Sequence, residues 1–315
     1  MPLKRFLVHR QSGRQFRLNG IHRSRRLPGK HHLRQNFSDH VKYSADQLPP
    51  SVDFRPNMPP VEDQSQIGSC TANSLAGAYE YIIKKSEGND IAVSRLFIYY
   101  NERAKENPSN ITDSGATLTD GIETIEEFGV CLESFWPYDI SQVNTKPSDE
   151  AYQEAVGHKI TNALQVNRDL NEMKSCLAQG FPFAFGLQLY PSFNKATTGG
   201  VVRMPSSDEL SGQPLGGHAL LAVGYSDQSQ SFIVRNSWGQ DWGDQGYCYI
   251  PYDYMTNTEY CYDAWTIRTL STDDFGQDEW NNDDSVDYRQ SNDNDDDNDD
   301  DNDNPIEEHS SDDGN

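Results

Sequence analysis

A single cysteine closes the run "QSQIGSC" (64–70), where a glycine–serine step meets the first turn of a strongly patterned helix. Ala72, Leu75, Ala76, Tyr79, Ile82 and Ile83 share one face at helical spacing, which puts Cys70 at a helix N-terminus. Unpaired N–H groups at such an end carry about half a positive charge. That charge favours a thiolate and lowers a thiol's pKa. A buried structural cysteine is the competing reading of this feature taken alone. A thiolate nucleophile also needs a histidine, to be held as its imidazolium and to protonate the leaving group. Of the eight histidines, His9, His22, His31, His32 and His40 fall within residues 1–47 and His309 lies near the other end. His158, in the polar "EAVGHKI", reads as a surface residue. His218, in "LGGHALLAVGY", follows Gly216 and Gly217, which let another group approach closely. The apolar run behind it would hold it in a buried strand, where a satisfied core histidine is the alternative reading.

The base of such a pair needs a third group to orient it. "IVRNSWGQDWGDQGY" (233–247) supplies Asn236 at a strand end, with Trp238 two residues on to exclude water from the bond. An amide accepts from the ring without adding charge. The remaining requirement is a pair of donors for an oxyanion. The Gln64 side chain, six residues before Cys70, and the free N–H of Cys70 itself are the candidates.

The elements that must position these groups are helical first and strand-like later. Beyond the helix at 71–84, helices are predicted at 119–128 and 169–179. Thr119 caps the first and Ile122, Ile125 and Phe128 line it; Leu170, Met173 and Leu177 face inward on the second. Gly129 and Gly180 end them. Strands are predicted at 181–190, 218–226, 231–238, 246–252 and 264–270. This order suggests an α+β protein of two parts with a site in the cleft between them.

Charge divides the chain. Residues 1–47 carry 11 Lys/Arg against 2 Asp/Glu, residues 48–270 carry 14 against 28, and residues 271–315 carry 1 against 19. We read the first segment as a basic, flexible head, 48–270 as the globular body, and 271–315, with its run "NDNDDDNDDDNDN", as an acidic disordered tail. Head and tail have opposite sign, so a contact between them is expected. The head shows no nucleic-acid fold signature, which argues against nucleic acid as a partner. No stretch is apolar enough to span a membrane, and the start does not read as a secretory signal. Five widely spaced cysteines then favour free thiols in a reducing, intracellular compartment. No Cys/His spacing suggests a metal site.

Taken in order, "QSQIGSC" before a helix, "GGHALLAVGY" and "VRNSWGQDWGDQGY" resemble the papain-type cysteine peptidases. Cys70 and His218 are 148 residues apart and Cys70 and Asn236 are 166, close to the separations of that group. "LPPSVDFRP" and "FGVCLESFWPYD" (128–139) extend the likeness over residues 48–270. The resemblance implies a papain-like two-domain α+β fold, with a helical half bearing Cys70 and an antiparallel β-barrel-like half bearing His218 and Asn236. It implies Cys70 as nucleophile, His218 as general acid and base, Asn236 as its orienter, Gln64 as oxyanion donor and Trp238 as a shield. Gly115 and Ala116 stand where the family's glycine pair runs antiparallel to a bound peptide, with Gly217 as a further substrate-binding position. The implied activity is thiol-dependent cleavage of a peptide or protein substrate, without cofactor or metal. Ile67 and Thr71 replace the cysteine and tryptophan of secreted members, and "GSCTAN" has the look of bacterial and viral-type intracellular relatives, which includes the prospect of packaging in a virion. The long helical propeptide of the lysosomal enzymes has no counterpart. A catalytically inactive relative used for binding, and acyl transfer to an acceptor other than water, stay open as alternatives.

Overall fold

The computed structural model describes residues 4–8, 13–269, 275–290 and 306–309. The helical half is built from α1 (Cys70–Glu87), α2 (Arg95–Glu106) and α3 (Leu118–Glu127), followed by α4 (Asp149–Ala155) and α5 (Leu170–Ala178). Helix α1 is buried along most of its length and ends at Gly88, whose φ of 72° is the left-handed conformation that stops a helix. Helix α3 is capped by Thr117 and not by Thr119: the Thr117 backbone is extended and its hydroxyl accepts from the Asp120 N–H, which Thr119 inside the first turn cannot do. Asp169 caps α5 in the same way.

Twelve strands are described: β1 (Lys4–Val8), β2 (Gln15–Arg17), β3 (Gln35–Asn36), β4 (Ser51–Asp53), β5 (Asn162–Gln165), β6 (Phe183–Leu189), β7 (Gly216–Ser226), β8 (Ser231–Arg235), β9 (Tyr247–Pro251), β10 (Cys261–Arg268), β11 (Trp280–Asn281) and β12 (Ile306–His309). The main sheet has the order β11-β4-β7-β6-β10-β5-β3, with β8 and β9 branching from β7. All its pairings are antiparallel except β3 with β5. The described pairings leave this sheet unclosed, so its barrel-like character stops short of a barrel. Strand β7 is at its centre, buried almost throughout, which is why its sequence is a continuous apolar run without alternation. Helix α1 lies across β7, β6 and β10. The N-terminus of α1 and the His218 end of β7 thus meet at the seam between the two halves.

Both ends of the chain depart from the expectation of solvated tails. In the head, Phe16, Leu18, Ile21, Leu33 and Phe37 are buried in the body's core, and β3 extends the main sheet. In the tail, β11 pairs with β4, Phe275 is buried against Phe181, and Tyr288 stacks on Tyr249. A few apolar anchors hold segments whose overall charge suggested solvation. Strand β12 pairs with β1, which pairs with β2, and Arg5 bridges to Glu308. The Asp/Asn run at 292–304 lies outside the described residues.

Candidate active site

Cys70 is the first residue of α1 and is fully buried. Its sulfur is reached by the backbone N–H groups of Ala219 and Thr71, so it lies beside the residue that follows His218. His218 is buried near the start of β7. Its Nε2 is 2.8 Å from Asn236 Oδ1, and the same oxygen accepts from the Ser237 N–H at 2.8 Å. Only an oxygen can accept from a backbone N–H, so that second bond fixes which way the amide points. The His218 bond must then be donated by Nε2–H, and Nδ1 keeps its lone pair. Nδ1 has no hydrogen-bond partner among the described residues. Trp238, also buried, stacks on the His218 ring at 4.8 Å.

Gln64 is pinned on the other side of the seam. Its Nε2 donates to Ile67 O at 2.9 Å, its Oε1 accepts from Ser237 Oγ at 2.5 Å, and its N–H donates to Ser237 O. The two halves are therefore tied together at the residue next to Asn236. Gly115 and Ala116 line the helical side of the same cleft, with Gly115 Cα 3.3 Å from where a side chain on Gly68 would begin. Gly217 lies opposite, against Tyr262 and Ile21.

The electrostatics run opposite to the helix-end expectation. Burial pushes the Cys70 thiol up to about 12, outweighing the two N–H groups that favour its anion. Burial likewise lowers His218 to about 4, against the opposing effect of its Asn236 bond. Burial thus favours a neutral thiol at Cys70 and a neutral imidazole at His218. Glu102, whose Oε2 accepts from Thr71 Oγ1 at 2.7 Å, is also fully buried and held well above the carboxylate range by burial; what negative charge it carries raises the Cys70 thiol further.

A strap of residues 14–26 from the basic head lies over this side of the seam, closest to the Cys70 sulfur at Gly20. Phe16 stacks on Trp238 at 4.9 Å, and Arg14 donates to Asp63 and to Trp238 O. Gly20 passes over the sulfur so closely that a Cβ there would stand 2.8 Å from Cys70 Sγ and from Gly68 O. Ala116 N–H donates to Gly20 O and His22 N–H donates to Ala116 O. Ile21 and Ala116 thereby pair in parallel, whereas the family resemblance implies an antiparallel peptide at this position. Gly115, at φ 84°, and Gly216 leave room for the strap's Gly20 and Leu18 carbonyls, with which any Cβ would collide. Past Ile21 the cleft continues as a cavity of about 1260 Å³ lined by Arg23, Arg26, Lys105, Thr117, Gly217 and Tyr262, so the strap leaves part of the groove open. Reading the sequence missed Arg17, Gly20, Ile21, Ser237 and Asp113 as parts of this site. The one signal for the strap was "LNGI" (18–21), a short apolar and glycine-bearing run inside a basic segment.

Residues 48–264 match the papain family of cysteine proteases. The chain belongs to that family and is a papain-like cysteine peptidase. It is 41% identical over 220 residues to an uncharacterized peptidase C1-like protein of Acanthamoeba polyphaga mimivirus, covering 66% of this chain and 70% of the relative. It is 30% identical over 212 residues to cysteine proteinase 2 of Entamoeba histolytica, covering 66% and 65%. Among solved structures it is similar to xylellain, a cysteine protease of Xylella fastidiosa, with a TM-score of 0.70 and 37% identity over 80% of this chain and 97% of that one. Among the described residues no helix is long and apolar enough to cross a membrane, and no group of His, Cys, Asp and Glu could hold a metal ion.

Proposed function

We propose that Cys70, His218 and Asn236 cleave peptide bonds through an acyl-enzyme, with residues 48–270 as the enzyme body and the strap as a removable block. The carrying observation is the pair of bonds accepted by Asn236 Oδ1. They leave His218 Nδ1 as the basic nitrogen, without a hydrogen bond among the described residues, on a strand whose next residue, Ala219, reaches the Cys70 sulfur with its N–H. Once the strap lifts and water enters, the desolvation that disfavours both charges falls away. The helix N-terminus then favours the thiolate and Asn236 the imidazolium. Nδ1 takes the thiol proton and the sulfur adds to the scissile carbonyl carbon. The oxyanion is met by the second proton of Gln64 Nε2 and by the Cys70 N–H. His218 returns its proton to the leaving amine, giving a thioester. Water then attacks, His218 accepts its proton, and the carboxylic acid departs as Cys70 recovers the proton.

The parallel pairing of Ile21 with Ala116 supports reading the strap as a block and not as a substrate, because its peptide bonds meet Cys70 in reversed direction. A buried, unpaired nucleophile and four further buried free thiols suit a reducing compartment. The test is turnover of a fluorogenic peptide by the full chain and its variants. Cys70→Ala should abolish it and His218→Ala should cost nearly as much. Gln64→Ala should lower kcat by roughly a hundredfold with KM little changed. Residual turnover above a few per cent in Cys70→Ala would sink the mechanism, and full turnover loss without any labelling of Cys70 by a thiol-directed inhibitor would favour the inactive binding relative.

A further inference from the structure

Asp113 carries a carboxylate whose side chain is buried beside Gly68, the residue two before Cys70. Its Oδ1 accepts from the Gly68 N–H at 2.8 Å and from Tyr99 OH at 2.6 Å, and Tyr99 OH in turn accepts from the Gly115 N–H. The carboxylate is thereby fixed between the two backbone segments that flank the sulfur. Its Oδ2 is met at 3.5 Å by Arg17 Nη1, and the two side chains are 6% and 2% exposed. Arg17 belongs to the strap, so its guanidinium enters this pocket from the cleft. The strap therefore offers Asp113 what an incoming peptide could offer it: a cation on a long side chain, delivered from a backbone lying over Cys70.

We propose that Asp113 makes the peptidase selective for arginine or lysine on the amino side of the scissile bond. The inference rests on Cys70 being the nucleophile. A substrate that pairs with Ala116 in the direction opposite to the strap brings its next residue over the sulfur. The side chain of that residue meets Gly68 and Gly115, two positions without side chains, and Asp113 Oδ1 stands 3.3 Å from where a Cβ on Gly68 would begin. When the strap leaves, Arg17 leaves with it. A guanidinium from the substrate can then take the place that Arg17 holds against Asp113 Oδ2, with planar, directional donors. A site built around such a bond discriminates against a neutral analogue of the same shape far more strongly than an apolar pocket does.

The experiment compares kcat/KM for two fluorogenic peptides that differ only at this residue, one carrying arginine and the other the isosteric, uncharged citrulline. The full-length chain is used throughout. Strap occupancy scales both rates equally, so the ratio reports the subsite alone. The expected ratio is about tenfold or more in favour of arginine. Asp113→Asn, which keeps an oxygen for Tyr99 and Gly68, should bring it to within about twofold. Arg17→Gln should raise both rates and leave the ratio at about tenfold. A ratio near one in the unmodified chain or in Arg17→Gln overturns the proposal, as does a tenfold ratio that survives Asp113→Asn. Cys70→Ala separates the two levels. Silence there with a flat ratio refutes only the subsite, whereas retained cleavage refutes the nucleophile on which it depends.

Discussion

Phe16 and Trp280 anchor segments at opposite ends of the chain, and their different seats give those segments different work. Phe16 stacks on Trp238, beside His218, and carries the strap across Cys70. Trp280 donates through Nε1 to Ala178 O, packs edge-on against Tyr43 and extends the sheet through β4. The rest of its segment bonds the far end of β7, where Asp284 accepts from Ser226 Oγ and the Gln228 N–H. From His218 to Ser226 is eight residues of strand, roughly 26 Å. Both segments are dominated by charge and both are held by a few aromatic and apolar residues. Where the ring lands decides whether the segment governs the cleft or adds to stability.

The comparison is sharpest when the two anchors are removed in turn. Phe16→Ala deletes a buried ring, a loss on the order of 3 kcal/mol. Because that loss falls on the closed form alone, turnover of a small peptide should rise, by up to about a hundredfold. No change in rate would show that the strap does not govern access. The next effect is that of pH. His218 lies at about 4 under the strap and should return to an ordinary value near 6.5 when exposed. In Cys70→Ala, where no thiol can pass its own proton to the ring, the open form therefore binds a proton below pH 6.5 that the closed form refuses until pH 4, so acid favours opening. Between pH 7 and 5 the open fraction of that variant should grow by roughly twentyfold. In the unmodified chain the Cys70 thiol, held at about 12 when closed, passes its proton to His218 on opening, so the number of bound protons is unchanged and the open fraction should stay level over the same range. Hydrogen exchange of the Leu18–Ile21 amides, corrected for intrinsic rates, reads this directly, and flat protection from pH 5 to 7 in Cys70→Ala would contradict it. The smallest effect on the cleft belongs to Trp280→Ala. It should cost about 2 kcal/mol, since the ring is only half-buried, and lower Tm by roughly 5 °C, while turnover per folded molecule stays unchanged. A matching rise in turnover would mean the two ends are coupled.

Helix α1 and strand β7 were legible because each carries a long unbroken signal, a 3.6-residue period in one and a continuous apolar run in the other. The order of Cys70, His218 and Asn236, and the glycine and tryptophan runs around them, pointed to the same cleft that the fold forms. The strap was not legible. "LNGI" is four residues without a period, and it docks through backbone pairing with Ala116 and through glycines on both sides, none of which local propensity encodes. The tail segment was missed for the same reason, since Phe275, Trp280 and Tyr288 are too sparse in an acidic run to register as a core. The state of Cys70 was misjudged because a helix end gives one sign and desolvation the other. Tertiary packing, Gly20 over the sulfur included, determines which dominates. Asp113 carried no sequence signal, as an acidic residue in "ITDSGAT" reads as part of a turn until Tyr99, Gly68 and Arg17 are seen around it.

A competent Cys70 nucleophile held shut by the strap should react with a thiol reagent only as often as the strap opens. The measurement is the rate at which an epoxysuccinyl thiol inhibitor labels the full-length chain and Gly20→Ala, with the adduct located by peptide mass mapping. A Cβ at position 20 collides with Cys70 Sγ and the Gly68 carbonyl, so Gly20→Ala should lift the strap. A single adduct on Cys70 is expected in both proteins, formed at least about tenfold faster in Gly20→Ala, a difference of 1.4 kcal/mol or so in strap closure. Equal rates in the two proteins, or an adduct on Cys131, Cys176, Cys248 or Cys261 in place of Cys70, would contradict it.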